Sequence, residues 1–373
     1  MRLLTQRRIF SFPRIALALL VTGLFVRSEF GTAETFRPLE LRDGLGRMVK
    51  IAQSPQRIAS VSLASDEVLV ELLSRSGQLN RLVAVSKLSD DARWSNISGR
   101  VPQTTARVVG EAESIVITKP DLVILAGFNR PEVLATLERA KIPTFVVGPF
   151  NSLADIVTAI ATLGDIVGLP VEAGKLRVEL LTTLERARGM IPQNVRSKPA
   201  RGPTLVSWSG DGTVMGQDTT FDSIVRGVGG VNAVARAGLR GWPKLDPERL
   251  ARLRPDFVVV PVAHAGDEPS RQAVVTQIKA APGWKAMSAV QKDRFIFVPE
   301  AQLLALSHHV APAVQTIADA LAAGRTRQSS EAQAAKDSAA AKATAAKKSA
   351  EKKARADAAK SPGHMDPPRR EGP

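Results

Sequence analysis

The sequence predicts an α/β protein with two lobes, each built on a mainly parallel sheet, joined by a single long helix. Three observations carry this. Short apolar runs alternate with helical patterns through most of the chain, one segment recurs 135 residues later, and an uninterrupted amphipathic stretch separates the two halves.

The chain begins with a targeting pattern over residues 1–33. Arg2, Arg7, Arg8 and Arg14 precede a short apolar run from Ile15 to Val26, and the small residues Gly31 and Ala33 follow. That order reads as a basic n-region, an h-region and a cleavage site near Ala33, too short to span a bilayer comfortably. Arg7 and Arg8 partly match a twin-arginine signal, so the general and the twin-arginine export routes both stay open.

Residues 34–169 form the expected N-terminal lobe. Asp43-Gly44-Leu45-Gly46-Arg47 turns a hairpin, and Arg57–Ser62, Arg81–Ser86, Asp121–Ala126 and Thr144–Gly148 are strand-like, with helical patterns at Asp66–Ser74 and Pro131–Ala140. Residues 170–192 are the connecting helix. No proline interrupts it after Pro170, and Leu176, Leu180, Leu184 and Ala187 recur at helical spacing. One helix between two lobes resists wide hinge closure. Residues 193–323 form the C-terminal lobe, with strands at Thr204–Ser209, Asp256–Pro261 and Arg294–Pro299. Residues 324–373 read as a solvated Ala/Lys-rich tail, since no apolar stripe exists to dock it.

The repeat pairs Glu113–Leu125 with Glu248–Val260. In each, a glutamate opens a short helix, a proline follows seven residues later, and an aspartate then starts a continuous apolar strand.

Composition excludes several chemistries. Without cysteine the chain has no disulfide, thiolate nucleophile, Cys-ligated zinc or lipidated cysteine, and without tyrosine it has no phenolate ligand for iron. The net charge is +15, but residues 1–33 contribute +4 and residues 325–373 contribute +6. The body keeps only +5, which gives no nucleic-acid footprint. The segment Ser207–Gly212 lacks both the nucleophile-elbow and the phosphate-loop pattern, and Asp66 and Glu67 point apart on one helix, so no enzyme is expected. All four histidines lie beyond residue 263, which disfavours a bare-metal site shared by both lobes. No metal site or cofactor of the protein's own is expected.

The D-x-x-G-R hairpin (Asp43–Arg47), the R-I-x-S strand leading to Glu67, the two E…P-D segments and Gly229-Gly230-Val231-Asn232 occur in the order found in a known family. The chain resembles the periplasmic binding proteins that deliver iron complexes and vitamin B12 to ABC importers, over roughly residues 36–322. The resemblance implies two α/β lobes on a helical backbone, with a metal chelate held between them. A ferric siderophore or corrinoid fits the composition better than haem, for want of tyrosine. It further implies that Glu113 and Glu248 dock on a dimeric permease, although an acidic residue near a helix N-terminus is also explained by the helix dipole alone.

Arg107 and Trp242 each lie six residues before one of these glutamates, which places them on cleft-facing loops. Trp242, in Gly241-Trp242-Pro243, is expected to stack on a flat ligand, and Arg107 to pair with an anionic group. Trp208 is a further ligand candidate, with Trp94 beside it, whereas Trp284 reads as core. Asn129 and Arg130 follow a strand's carboxyl end, where open α/β sheets meet ligands. A competing class is a periplasmic adhesion or scaffold protein that contacts anionic envelope polymers through its basic tail and carries no small ligand.

Overall fold

Asp43 organises the first element. Its carboxylate accepts the N–H groups of Leu45 and Arg47 at 3.0 and 2.9 Å and receives the Arg47 guanidinium, while Gly46 takes a φ of +81° that a side chain would resist. These contacts close the hairpin of β1 (Leu39–Arg42) and β2 (Met48–Ile51). The computed structural model describes residues 36–196, 198–264, 266–325 and 338. The expected signal segment and, apart from residues 324, 325 and 338, the Ala/Lys tail lie outside the described residues. Residues from Arg37 onward group as one unit.

The first lobe holds β3 (Ile58–Ser60), β4 (Leu82–Ser86), β5 (Ala106–Val108), β6 (Leu122–Ala126) and β7 (Thr144–Val147) in a sheet of order β5-β4-β3-β6-β7. All its pairings are parallel. Every residue of β3, β6 and β7 is buried, which matches their continuous apolar runs and the cover of helices on both faces. The chain moves outward from β3 to β4 and β5, then returns to the other side of β3 as β6. The sheet therefore has its topological switch point between β3 and β6, where open α/β sheets form a crevice.

The second lobe contains β8 (Thr204–Ser207), β9 (Val231–Asn232), β10 (Phe257–Val262) and β11 (Phe295–Pro299), again parallel, in the order β11-β10-β8-β9. Its switch point lies between β8 and β10. Both lobes are thus α/β with parallel main sheets, as the alternating pattern predicts.

Five helices follow the first-lobe strands: α1 (Leu63–Arg75), α2 (Ala112–Val116), α3 (Pro131–Arg139), α4 (Leu153–Val167) and α5 (Pro170–Gly189). The last is the connector, about 30 Å long at 1.5 Å per residue. It buries Ala173, Leu176, Leu180 and Ala187. Its close approach to α4 depends on Gly164, where a Cβ would lie 2.2 Å from the Ala173 Cβ.

The chain then crosses back between lobes. After β11, Glu300 forms an ion pair with Arg93 of the first lobe, the Ala301 carbonyl accepts from Asn96 Nδ2 at 2.7 Å, and the Ser307 hydroxyl donates to Glu67 on α1. The lobes are joined by this polar seam as well as by α5. Among the described residues no helix is long and apolar enough to cross a membrane.

Candidate ligand-binding cleft

Two cavities, the first at the β3/β6 switch point and the second between the lobes, share a wall made of Phe128, Leu304 and Leu306. The first, of about 610 Å³, lies at the carboxyl ends of β3, β4, β5 and β6, lined by Ser62, Lys87, Val109, Phe128 and Arg130 among others. The second, of about 550 Å³, lies between the lobes. Leu45, Phe150 and Phe128 face Met215, Phe221 and Trp242 across it. Together they make one cleft of the size that small-molecule sites occupy.

The cleft collects apolar surface that the rest of the fold would bury. Leu45, Leu88, Val109, Phe128 and Trp242 are all at least half exposed, and all five line it. Phe128 and Phe150 pack in a tilted pair with ring centroids 6.5 Å apart. Contiguous exposed apolar surface of this kind marks a binding site.

Beneath the first cavity the walls are fixed by buried carboxyls. Asp66, on α1, accepts the Ser86 N–H at 3.0 Å and the Ser89 hydroxyl at 2.8 Å, so it holds the loop that carries Lys87 and Leu88. Burial pushes this carboxyl up to about 7. Its neighbour Glu67 takes the Asn96 N–H and side-chain amide on one oxygen and the Ser307 hydroxyl on the other; burial also raises it. One helix therefore supports both the cleft floor and the interlobe seam. Behind the seam, His308 and His309 stack with centroids 4.0 Å apart, and burial depresses them to about 3 and about 4 respectively, keeping both neutral at pH 7. Neither histidine lines the cleft.

Two of the sequence-predicted ligand residues line the cleft. Trp242 sits on its loop, 57% exposed, on the second-lobe wall of the interlobe cavity. Asn129 lines the first cavity, where its side chain accepts the Ala126 N–H at 2.7 Å and donates to the Val61 carbonyl at 3.3 Å. It braces β6 against β3 at the switch point.

Two others require correction. Arg107 does not stand on a cleft-facing loop. It lies within the edge strand β5, and its guanidinium grips Asp90 at 2.9 Å through two nitrogens and donates to the carbonyls of Val101, Pro102 and Thr105. With its donors so engaged it is a structural clamp. Trp208 is 4% exposed and packs against Trp284 with centroids 4.8 Å apart, in the second-lobe core. It follows β8 directly and is drawn inward with the strand. Trp284 is core, as expected, and its indole N–H donates to the Pro247 carbonyl at 2.7 Å. Trp94 lines the first cavity with the Arg93 guanidinium over its ring.

Glu113 and Glu248 are both exposed, each at the second position of its helix. The sequence reading missed Phe128, Phe150, Lys87 and Leu88, which belong to loops without motif or periodicity. The signal that was present is positional, since Lys87 and Phe128 each follow a strand's carboxyl end.

Two parallel-sheet lobes on one backbone helix, with a cleft that runs from the first-lobe switch point into the space between the lobes, define a two-lobed solute-binding protein. The chain belongs to the periplasmic binding protein family, whose model matches residues 58–301. No curated protein matches it in sequence. Among solved structures it is similar to a possible iron-binding (periplasmic solute-binding) protein from Staphylococcus epidermidis ATCC 12228, at 16% identity and a TM-score of 0.59, over 72% of this chain and 99% of that one. It is also similar to the periplasmic heme-binding protein RhuT from Roseiflexus sp. RS-1, at 22% identity and a TM-score of 0.56, over 72% and 98%. A third is a periplasmic heme-binding protein from Pseudomonas aeruginosa, at 24% identity and a TM-score of 0.56, over 72% and 92%. At these identities the likeness establishes the fold.

Proposed function

We propose that this protein is the exported solute-binding component of an ABC importer, which captures a metal chelate in the interlobe cleft and delivers it to a permease dimer. The observation that carries the reading is the cleft itself: an aromatic and aliphatic surface left open at the first-lobe switch point and between the lobes, with Trp242 and Phe128 on facing walls. The names of the similar structures, heme-binding and possible iron-binding, support a metal-containing ligand. Within the cleft the lining residues include no His, Tyr or Cys, which favours a ferric siderophore or a corrinoid over haem. No catalytic role is assigned to any residue. The mature chain starts near Glu34, after removal of residues 1–33 on export to the periplasm.

Glu113 and Glu248 are the proposed docking charges. Exposed carboxylates of this kind contribute only about 0.2–1 kcal/mol per ion pair, so their effect falls on orientation and encounter rate.

The direct test is a thermal-shift screen of the purified protein against ferric siderophores, cobalamin and haem. A true ligand at 100 times its Kd stabilises by about 2.7 kcal/mol. If no metal chelate shifts the transition, the carrier reading fails. In cells, the double variant Glu113→Lys/Glu248→Lys is expected to bind chelate normally yet fail to deliver it. Normal uptake would remove the docking assignment, and lost binding would move these residues into the site.

A further inference from the structure

The cleft is polarised. Its interlobe part is apolar and aromatic, and the charged pair there, Asp218 with Arg240, is internally matched. The first-lobe part differs. Four charged side chains line it: Lys87, Arg130, Glu67 and Asp91.

These four are not equivalent. Glu67 is buried with both oxygens occupied by Asn96 and Ser307. The Asp91 carboxylate accepts the Arg93 N–H at 2.9 Å, beside the Arg93 guanidinium, which is itself paired with Glu300. Lys87 and Arg130 are exposed, and among the described residues neither has an ion-pair or side-chain hydrogen-bond partner. They project from opposite sides of the switch point, Lys87 after β4 and Arg130 after β6, on the same cavity wall as the first turn of α1, whose N-terminal end adds positive potential. Asp66 and Asn129 hold the two loops in place.

The geometry points to Lys87 and Arg130 as the pair that reads the charge of the ligand: they seat the anionic end of a coordinatively complete chelate in the first-lobe cavity, while its apolar body lies between Phe128, Phe150 and Trp242. This assigns to Lys87 and Arg130 the task that the sequence alone gave to Arg107. It rests on the chelate-carrier reading above and specifies the ligand class as anionic, with its metal already saturated. Among the described residues no group of three or more His, Cys, Asp or Glu side chains is placed to hold a metal ion, and Met215 on the cleft wall is 5% exposed. Two unpartnered cations on a partly enclosed wall gain more from an incoming anion than cations already paired, because no internal ion pair must be broken first.

The test compares two small probes of opposite charge character, ferric tris(catecholate), which is anionic, and ferric tris(acetohydroxamate), which is neutral. Binding is followed by quenching of tryptophan fluorescence in the wild-type protein and in Lys87→Gln/Arg130→Gln. The wild type is expected to prefer the anionic probe, with an affinity that falls as salt rises. The double variant is expected to lose that preference roughly tenfold, equivalent to 1.4 kcal/mol. An unchanged preference in the variant would overturn the assignment, and so would equal loss of both probes, which would make the two residues structural. Binding of neither probe by the wild type would overturn this inference, while the carrier reading stands or falls separately with the thermal-shift screen.

Discussion

The two copies of the repeat share a backbone device but not its surroundings. In the first lobe the Asp121 carboxylate accepts the N–H groups of Gln56 and Arg57 at 2.6 and 3.0 Å, and its own N–H donates to the Arg57 carbonyl. In the second, Asp256 accepts the N–H and hydroxyl of Thr204 at 2.8 and 2.9 Å and donates its N–H to the Thr204 carbonyl. Each aspartate thus fastens the start of its strand to the neighbouring strand across the switch point. Lys119 and Arg254, two residues earlier, both take a positive φ, of 48° and 47°. What precedes the device diverges: Arg107 is locked into an edge strand, while Trp242 stands free on a loop. A repeated local pattern therefore predicts repeated backbone hydrogen bonding, and it does not predict the direction of a side chain that the surrounding lobe controls.

The sharpest break of this comparison is Trp208→Ala. If Trp208 belongs to the core rather than to the cleft, its loss should cost about 3–5 kcal/mol of stability in urea denaturation. A stable variant with weakened ligand binding would restore the original expectation. Next come Asp121→Ala and Asp256→Ala, each removing hydrogen bonds from a charged acceptor at equivalent places, with an expected cost of about 2 kcal/mol apiece. A large cost in one lobe and none in the other would show that the repeat is only a likeness of sequence.

Trp242→Ala should leave the melting temperature of the free protein nearly unchanged and weaken chelate binding by about 2 kcal/mol, as loss of an aromatic anchor does. Arg107→Ala should show the smallest effect on binding, with no change in affinity, while loss of its bonds to three backbone carbonyls and of a partly exposed ion pair costs about 1–3 kcal/mol of stability. A specific loss of anionic ligand in this variant, read by titration, would return Arg107 to the site.

Much of the fold was legible because each main element has its own local cause. Proline begins α3, α5 and the helix Pro247–Arg252, and continuous apolar runs give buried parallel strands. The helix α4 carries a Ser152 cap that accepts the Asp155 N–H, and a closing Gly168 at φ +72°, yet the sequence reading passed over it. The strand β5, of three residues, has no readable signal of its own and forms because β4 offers it an open edge.

The sequence by itself determined the two lobes, the connecting helix, the twin glutamates and the exclusion of cysteine and tyrosine chemistry, since each follows from composition or from contacts within a few residues. Tertiary structure decided which side chains reach the cleft. Whether an arginine is spent on Asp90 or left facing a cavity, and whether a tryptophan packs on Trp284 or stands open to a ligand, depends on partners far along the chain. Those partners meet only when β5 pairs with β4 and the second-lobe core closes around β8 and β10.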